Sequence, residues 1–200
     1  MRLSSRVRRV NVTDGRARVV ETNSGETIQA DAYVTAVTPD ALVRMGVAAG
    51  EAAHLKWRPI ISAHLFYEGE IPPFEPACVV GEPFGWVFSK HTVAGYVEAV
   101  ASAADGIYHL EKRELLSLAC RAAAVAEPIL GQIPLKSGIV YRAHRATFAT
   151  LGCDGCRPGP TGPAEKLFLA GDWTATGWPA TIEGAVRSGL SAAREVLRAI

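Results

Sequence analysis

The chain has 200 residues, 48% of them hydrophobic and 20% charged, with a formal net charge of +1. That balance excludes a disordered chain and gives no electrostatic reason to expect a nucleic-acid partner. No apolar run approaches the roughly 20 residues that cross a bilayer, no secretory apolar stretch follows the Arg-rich start, and four cysteines are too few for a disulfide scaffold. The expectation is a soluble cytoplasmic protein, open to peripheral contact with a membrane.

The first block predicts β-structure. Val7, Val10 and Val12 precede a turn at Asp14-Gly15, and Ala17, Val19 and Val20 follow it, the pattern of a hairpin. A second turn at 23–25 leads into Thr27, Ile28 and Ala30. The short apolar run 33–37 reads as a buried strand. Thr38 can cap a short helix from Asp40 to Met45, with Pro39 at its first position.

The middle block predicts a long strand over 59–67, in which His64 reads as a satisfied core histidine. Prolines exclude 71–76 from a central strand. Short strands fit 77–80, 85–88 and 95–101. A helix is predicted from Glu111 to about Ile129, with Leu115, Leu118, Ala119, Ala122 and Ala126 on one face and Pro128 and Gly131 at its end. One or two strands fit 136–148, and the Gly/Pro-rich segment 152–163 reads as a loop. His54, His91 and His109 read as ordinary loop or surface residues.

The last block is the most informative. Leu167-Phe168-Leu169-Ala170 reads as a buried strand ending at Gly171-Asp172, and a polar connection runs on to Pro179. A helix then continues to the terminus with an apolar stripe of Ile182, Ala185, Val186, Gly189, Ala193, Val196, Leu197 and Ile200. Such a unit presents the Asp172 carboxylate at the strand's C-terminal edge, where open α/β sheets bind ligands. The helix start aims unpaired N–H groups at the same crevice. Read alone, the unit is equally compatible with an α/β element of no special function.

Other motifs carry less. Cys153 and Cys156 form a lone C-x-x-C, which reads as two reduced surface thiols; no zinc site or thioredoxin-like pair is expected, and no metal. Ser62, Ser89 and Ser102 lack a nucleophile-elbow context. Trp86, Trp173 and Trp178 fit either a hydrophobic pocket or core packing. No catalytic residue is assignable.

The run 167–189, with its Gly-Asp-Trp-Thr and Pro-Ala-Thr-Ile-Glu-Gly-Ala-Val wording, resembles the C-terminal flavin motif of the amine oxidase and phytoene desaturase superfamily. Within it, the squalene-associated FAD-dependent desaturases, understood as hydroxysqualene dehydroxylases, are most similar. Segments 6–10, 30–39 and 85–88 resemble comparable stretches of that family more weakly. The resemblance implies FAD as cofactor. Val7 would meet the adenine through its backbone, and Ala36 to Pro39 would pass near the adenosine. Gly171 and Asp172 would lie at the ribityl and pyrophosphate region, and Ala180, Thr181 and Ile182 beneath the flavin ring. The basic run 141–146 fits either a solvated face or a rim near the flavin.

The fold class is accordingly expected to be α/β, a partial Rossmann-like FAD-binding domain (1–56 and 148–200) with an inserted α+β substrate domain (57–147). The implied function is a flavin oxidoreductase acting on an isoprenoid lipid, reducing hydroxysqualene to squalene. A carotenoid-type desaturase, an amine oxidase, or a non-catalytic truncated module without flavin are the alternatives. No two glycines are separated by a single residue, so the Gly-x-Gly-x-x-Gly turn that holds the pyrophosphate in this superfamily is absent. The expectation is a C-terminal fragment whose partner is the missing N-terminal half of the FAD domain. Tight FAD binding by these residues alone is not expected.

Overall fold

The computed structural model describes residues 1–90, 93–149 and 155–200. In chain order the strands are β1 (Val7–Thr13), β2 (Arg16–Thr22), β3 (Thr27–Ile28), β4 (Tyr33–Thr35), β5 (Trp57–Tyr67), β6 (Ala77–Cys78), β7 (Trp86–Ser89), β8 (Tyr96–Ser102), β9 (Leu135–Phe148) and β10 (Leu167–Leu169). The helices are α1 (Pro39–Arg44), α2 (Lys112–Ala126) and α3 (Ile182–Ala199). These elements form an α/β fold in two compact units, residues 1–56 with 148–200, and residues 57–147.

In the first unit β1 and β2 pair antiparallel, Val10 opposite Val20, and β3 extends the sheet beyond β2. The connecting Asp14 and Gly15 both have positive φ, 51° and 72°, the twist that a two-residue hairpin turn requires. A separate pair, β4 and β10, is parallel, with Thr35 beside Leu169. Tyr33 is buried at its start; its hydroxyl donates to Arg18 O (2.6 Å) and accepts from Ala30 N–H (2.9 Å). Thr38 does occupy the N-cap of α1, but its side chain makes no capping hydrogen bond, and Pro39 at the first position supplies the preset backbone instead.

α3 follows the expected 3.6-residue period but turns the other way. Its buried residues are Gly184, Ser188 and Ala192, one small residue per turn, and Ala192 packs on Phe168 and Ala170. Most of the apolar stripe is exposed instead, Ile182 at 86%, Leu197 at 75% and Val186 at 54%, while Val196 packs partly buried against the Phe168 cluster. Small side chains let the helix axis approach the strand closely, so the tightest contact goes to them and not to the bulkiest ones. Cys156 is also unlike the surface thiol expected of it: it is buried and disulfide-bonded. Cys153, His91 and part of the loop 152–163 lie outside the described residues.

The second unit is a five-stranded sheet in the order β6-β7-β8-β5-β9, with α2 against one face. Alternate residues of β5 (Ile61, Ala63, Leu65, Tyr67) and β8 (Val97, Ala99, Ala101) are buried with Leu115, Ala119, Ala122 and Ala123 of α2. Glu111 and Glu114 form a capping box that starts α2. The helix stops at Ala126, short of the expected end, and a 3-10 turn over Pro128–Gly131 follows. β9 is one strand of 14 residues, where one or two were expected. His64 is not in the core: it lies half-buried on the sheet face opposite α2, its Nδ1 2.7 Å from Tyr96 Oη. In the basic run, Tyr141 is exposed while Arg142 donates to Leu110 O.

Candidate functional site

The C-terminal ends of β4 and β10 form one edge. The parallel ladder continues past the strands, with Ala170 N–H donating to Thr35 O (2.9 Å). Gly171 follows with a φ of 142°, and a Cβ there would lie 2.4 Å from Trp173 Nε1, so only glycine lets the chain bend past that indole. Trp173 is buried and its Nε1–H donates to Val37 O (2.9 Å), which ties the end of β10 to the residue after Ala36. Trp173 is therefore a core wedge beneath the edge; Trp86 and Trp178 are exposed, at 44% and 43%.

Asp172 is half-buried on this edge, and its carboxylate has no partner among the described residues. Its backbone is fixed from behind: Arg157 donates to Asp172 O (2.6 Å) and to Trp178 O (2.7 Å), clamping the two ends of the connection. Arg187 of α3 stacks over the Trp178 ring at 4.5 Å. Gly171 N–H donates to Ser188 Oγ (2.7 Å), which itself donates to Ala185 O. That bond sets where α3 lies. At 1.5 Å per residue, the turns from Ile182 to Ser188 carry the helix start about 9 Å beyond the strand end.

The start of α3 is open. Thr181 is its N-cap and accepts the Gly184 N–H (3.2 Å), while the amides of Ile182 and Glu183 have no acceptor among the described residues. Unpaired amides at the positive end of a helix dipole favour negative charge, and a free carboxylate accepts from hydroxyls. The donor set thus matches a ligand bearing both an electron-rich carbonyl edge and a polyol.

A second concavity, of about 510 Å³, lies where β1 begins and β4 ends. Arg6, Val7, Arg8, Val37, Ala41 and Arg44 line it. Two of its guanidiniums have carboxylate partners, Arg8 with Glu21 at 3.6 Å and Arg44 with Asp40 at 2.6 Å. Ala36 is exposed and Pro39 buried, on either side of Val37. Val37 therefore joins the two places: it lines the Val7 concavity, and its carbonyl holds the Trp173 loop that carries Asp172. Sequence reasoning missed Arg157 and Ser188, which set the backbone of this edge. Arg157 sits in a Gly/Pro segment with no periodicity to mark it, and nothing in the pattern of the helix marks Ser188.

The chain is similar to proteins of a known family. The family model of flavin containing amine oxidoreductases matches residues 1–197. The chain is 35% identical over 164 residues to hydroxysqualene dehydroxylase of Sinorhizobium fredii, covering 82% of this chain and 38% of that protein. With the hydroxysqualene dehydroxylase of Rhodopseudomonas palustris it shares 35% identity, covering 83% and 41%. The 15-cis-phytoene desaturase of Capsicum annuum is 23% identical over 99% of this chain and 38% of its own length. The chain thus spans about two fifths of the length of the curated relatives it matches. A crystal structure described as a protoporphyrinogen oxidase from Exiguobacterium sp. 255-15 superposes with a TM-score of 0.67 at 15% identity, over 98% of this chain and 47% of that one, a likeness of fold. The chain belongs to the flavin containing amine oxidoreductase family.

Proposed function

We propose that this chain forms part of an FAD-dependent oxidoreductase that reduces hydroxysqualene to squalene. The observation that carries the reading is the convergence on one sheet edge of a free carboxylate, open helix amides and a separate arginine-lined concavity at Val7. The substrate is named from the relatives, which act as hydroxysqualene dehydroxylases.

In this reading Asp172 accepts hydrogen bonds from the ribityl hydroxyls, with Gly171 allowing close approach. The amides at Ala180, Thr181 and Ile182 would face the pyrimidine edge of a bound flavin. Val7, Ala36 and Pro39 border the adenosine. Reduced flavin held there would supply the hydride that replaces the substrate hydroxyl, and the hydroxyl would leave as water after taking a proton from solvent. Residues 57–147 would bind the apolar chain of the substrate.

The pyrophosphate-binding turn comes from a further α/β segment, in a longer chain or a separate one. The two-stranded sheet β4–β10 and the exposed apolar stripe of α3 support this, since both are surfaces that neighbouring α/β elements cover. Among the described residues no helix is long and apolar enough to cross a membrane. A cytoplasmic enzyme that meets its lipid at a membrane surface fits the reading.

The test is to supply the full-length relative-sized protein with hydroxysqualene under reducing conditions. Flavin retained through gel filtration and squalene formed are expected, and Asp172→Ala should lower flavin occupancy at least about tenfold. A protein that stays colourless favours a module without flavin. The phytoene desaturase likeness over nearly the whole chain favours a second reading, desaturation with hydride moving to the flavin. Product analysis with a polyene precursor, and with an amine, separates these.

A further inference from the structure

The face of the second unit opposite α2 carries an organised polar cluster in an aromatic surround. His64 and Glu98 face each other across β5 and β8, and Phe66 faces Tyr96 two pairs along. On β7, Phe88 is the cross-strand neighbour of Glu98, and Trp86 that of Val100. Strand alternation puts all of these side chains on one face, because the intervening Leu65, Val97 and Val87 are buried against α2. On β9, Val140 packs into that core, so Ile139 and Tyr141, both exposed, share the open face.

Within this surround His64 Nδ1 and Tyr96 Oη are 2.7 Å apart. Tyr96 is held flat by stacking on Phe66, ring centroids 5.0 Å apart. The charges beside them are already matched: Lys90 pairs with Glu98 at 3.0 Å and lies over the Phe88 ring. An anionic or cationic head group therefore finds no uncompensated partner here. An imidazole bonded to a phenol offers one further donor and one further acceptor, the complement of an alcohol.

We propose that this sheet face binds a long isoprenoid alcohol, its chain on Phe66, Phe88, Trp86, Val100, Ile139 and Tyr141 and its hydroxyl hydrogen-bonded to the His64–Tyr96 pair. The proposal rests on the isoprenoid reading above and names the residues that would recognise the hydroxyl. His64 and Tyr96 are positioning residues: they fix which carbon of a nearly uniform chain is presented. Glu98 and Lys90 keep the electrostatics of the patch neutral.

The experiment titrates the purified 200-residue chain with geranylgeraniol, and with the saturated hydrocarbon of the same skeleton, following tryptophan fluorescence. The alcohol is expected to bind more tightly than the hydrocarbon. Tyr96→Phe, which keeps the ring stack on Phe66, and His64→Gln should each weaken the alcohol about fivefold to tenfold and leave the hydrocarbon unchanged. Trp86→Ala should weaken both. Circular dichroism of each variant checks that it is folded; Tyr96→Phe carries the test if His64→Gln is not. Equal binding of alcohol and hydrocarbon by the unmodified chain, no binding of either, or equal losses for both in Tyr96→Phe overturns the assignment. Flavin retention is measured separately on the longer protein. Loss of the alcohol preference with flavin retained sinks this proposal alone, and the reverse result sinks the flavin reading alone.

Discussion

At Gly171 the indole of Trp173 occupies the space that a side chain would need. Gly171→Ala would place a Cβ 2.4 Å from Trp173 Nε1 at a φ of 142°. The expected cost is about 1–3 kcal/mol, from strain and overpacking together, read as a lower urea midpoint. A different residue-scale effect concerns Tyr67 and Cys120. Burial pushes the Tyr67 hydroxyl up, with the Cys120 thiol adding to the shift, and burial likewise raises Cys120. Both groups hold their protons more tightly folded than unfolded. Their contribution is therefore complete below the ordinary thiol value of 9.0 and declines as pH rises through the folded values. Thermal denaturation in steps from neutrality to pH 10.0, the ordinary phenol value, should show stability falling on the alkaline side. The Tyr67 oxygen is buried, with only the weakly bonding Cys120 thiol beside it among the described residues. Tyr67→Phe should then cost little at neutrality and flatten the alkaline decline.

At the scale of an element, α3 separates two kinds of helix face. Ser188 bridges the end of β10 to the helix, so Ser188→Ala leaves the Gly171 N–H without its acceptor and should cost about 1–3 kcal/mol by equilibrium denaturation. Leu197→Lys, on the exposed stripe, should change the stability of this chain by less than about 0.5 kcal/mol. A larger loss would mean that the stripe is packed. The same helix shows what a sequence discloses. The period was legible from Ile182, Val186, Val196 and Leu197, but a period fixes no phase: Gly184, Ser188 and Ala192 form an equally regular row, and only the strand decides which row it accepts. β5 repeats the lesson, since alternation told that His64 and Phe66 share a face but not which face α2 would cover. β9 looked divisible because its inward positions mix Val140 with Arg142. The edge at Gly171-Asp172 was legible because a short apolar strand stops there abruptly. The clamp by Arg157 was not, because it depends on a fold-back of 15 residues to the Asp172 carbonyl.

At the scale of the whole molecule, the two units differ in how they are threaded. Residues 57–147 are continuous and enclose their own core, from Ile61 to Leu130. Expressed alone, this segment should unfold in a single cooperative transition followed by circular dichroism, and a gradual, non-cooperative melt would contradict its independence. The first unit is discontinuous, yet its seam is closed: Ala149 N–H donates to Lys56 O at 2.8 Å. The strand that departs and the strand that returns are therefore hydrogen-bonded neighbours. A graft at that seam asks only for two adjacent ends, so an inserted lobe can be shortened, lengthened or exchanged by recombination while every residue of the host keeps its place. Lineages built on such a host would be free to diversify in what they recognise long before they altered what they do to it.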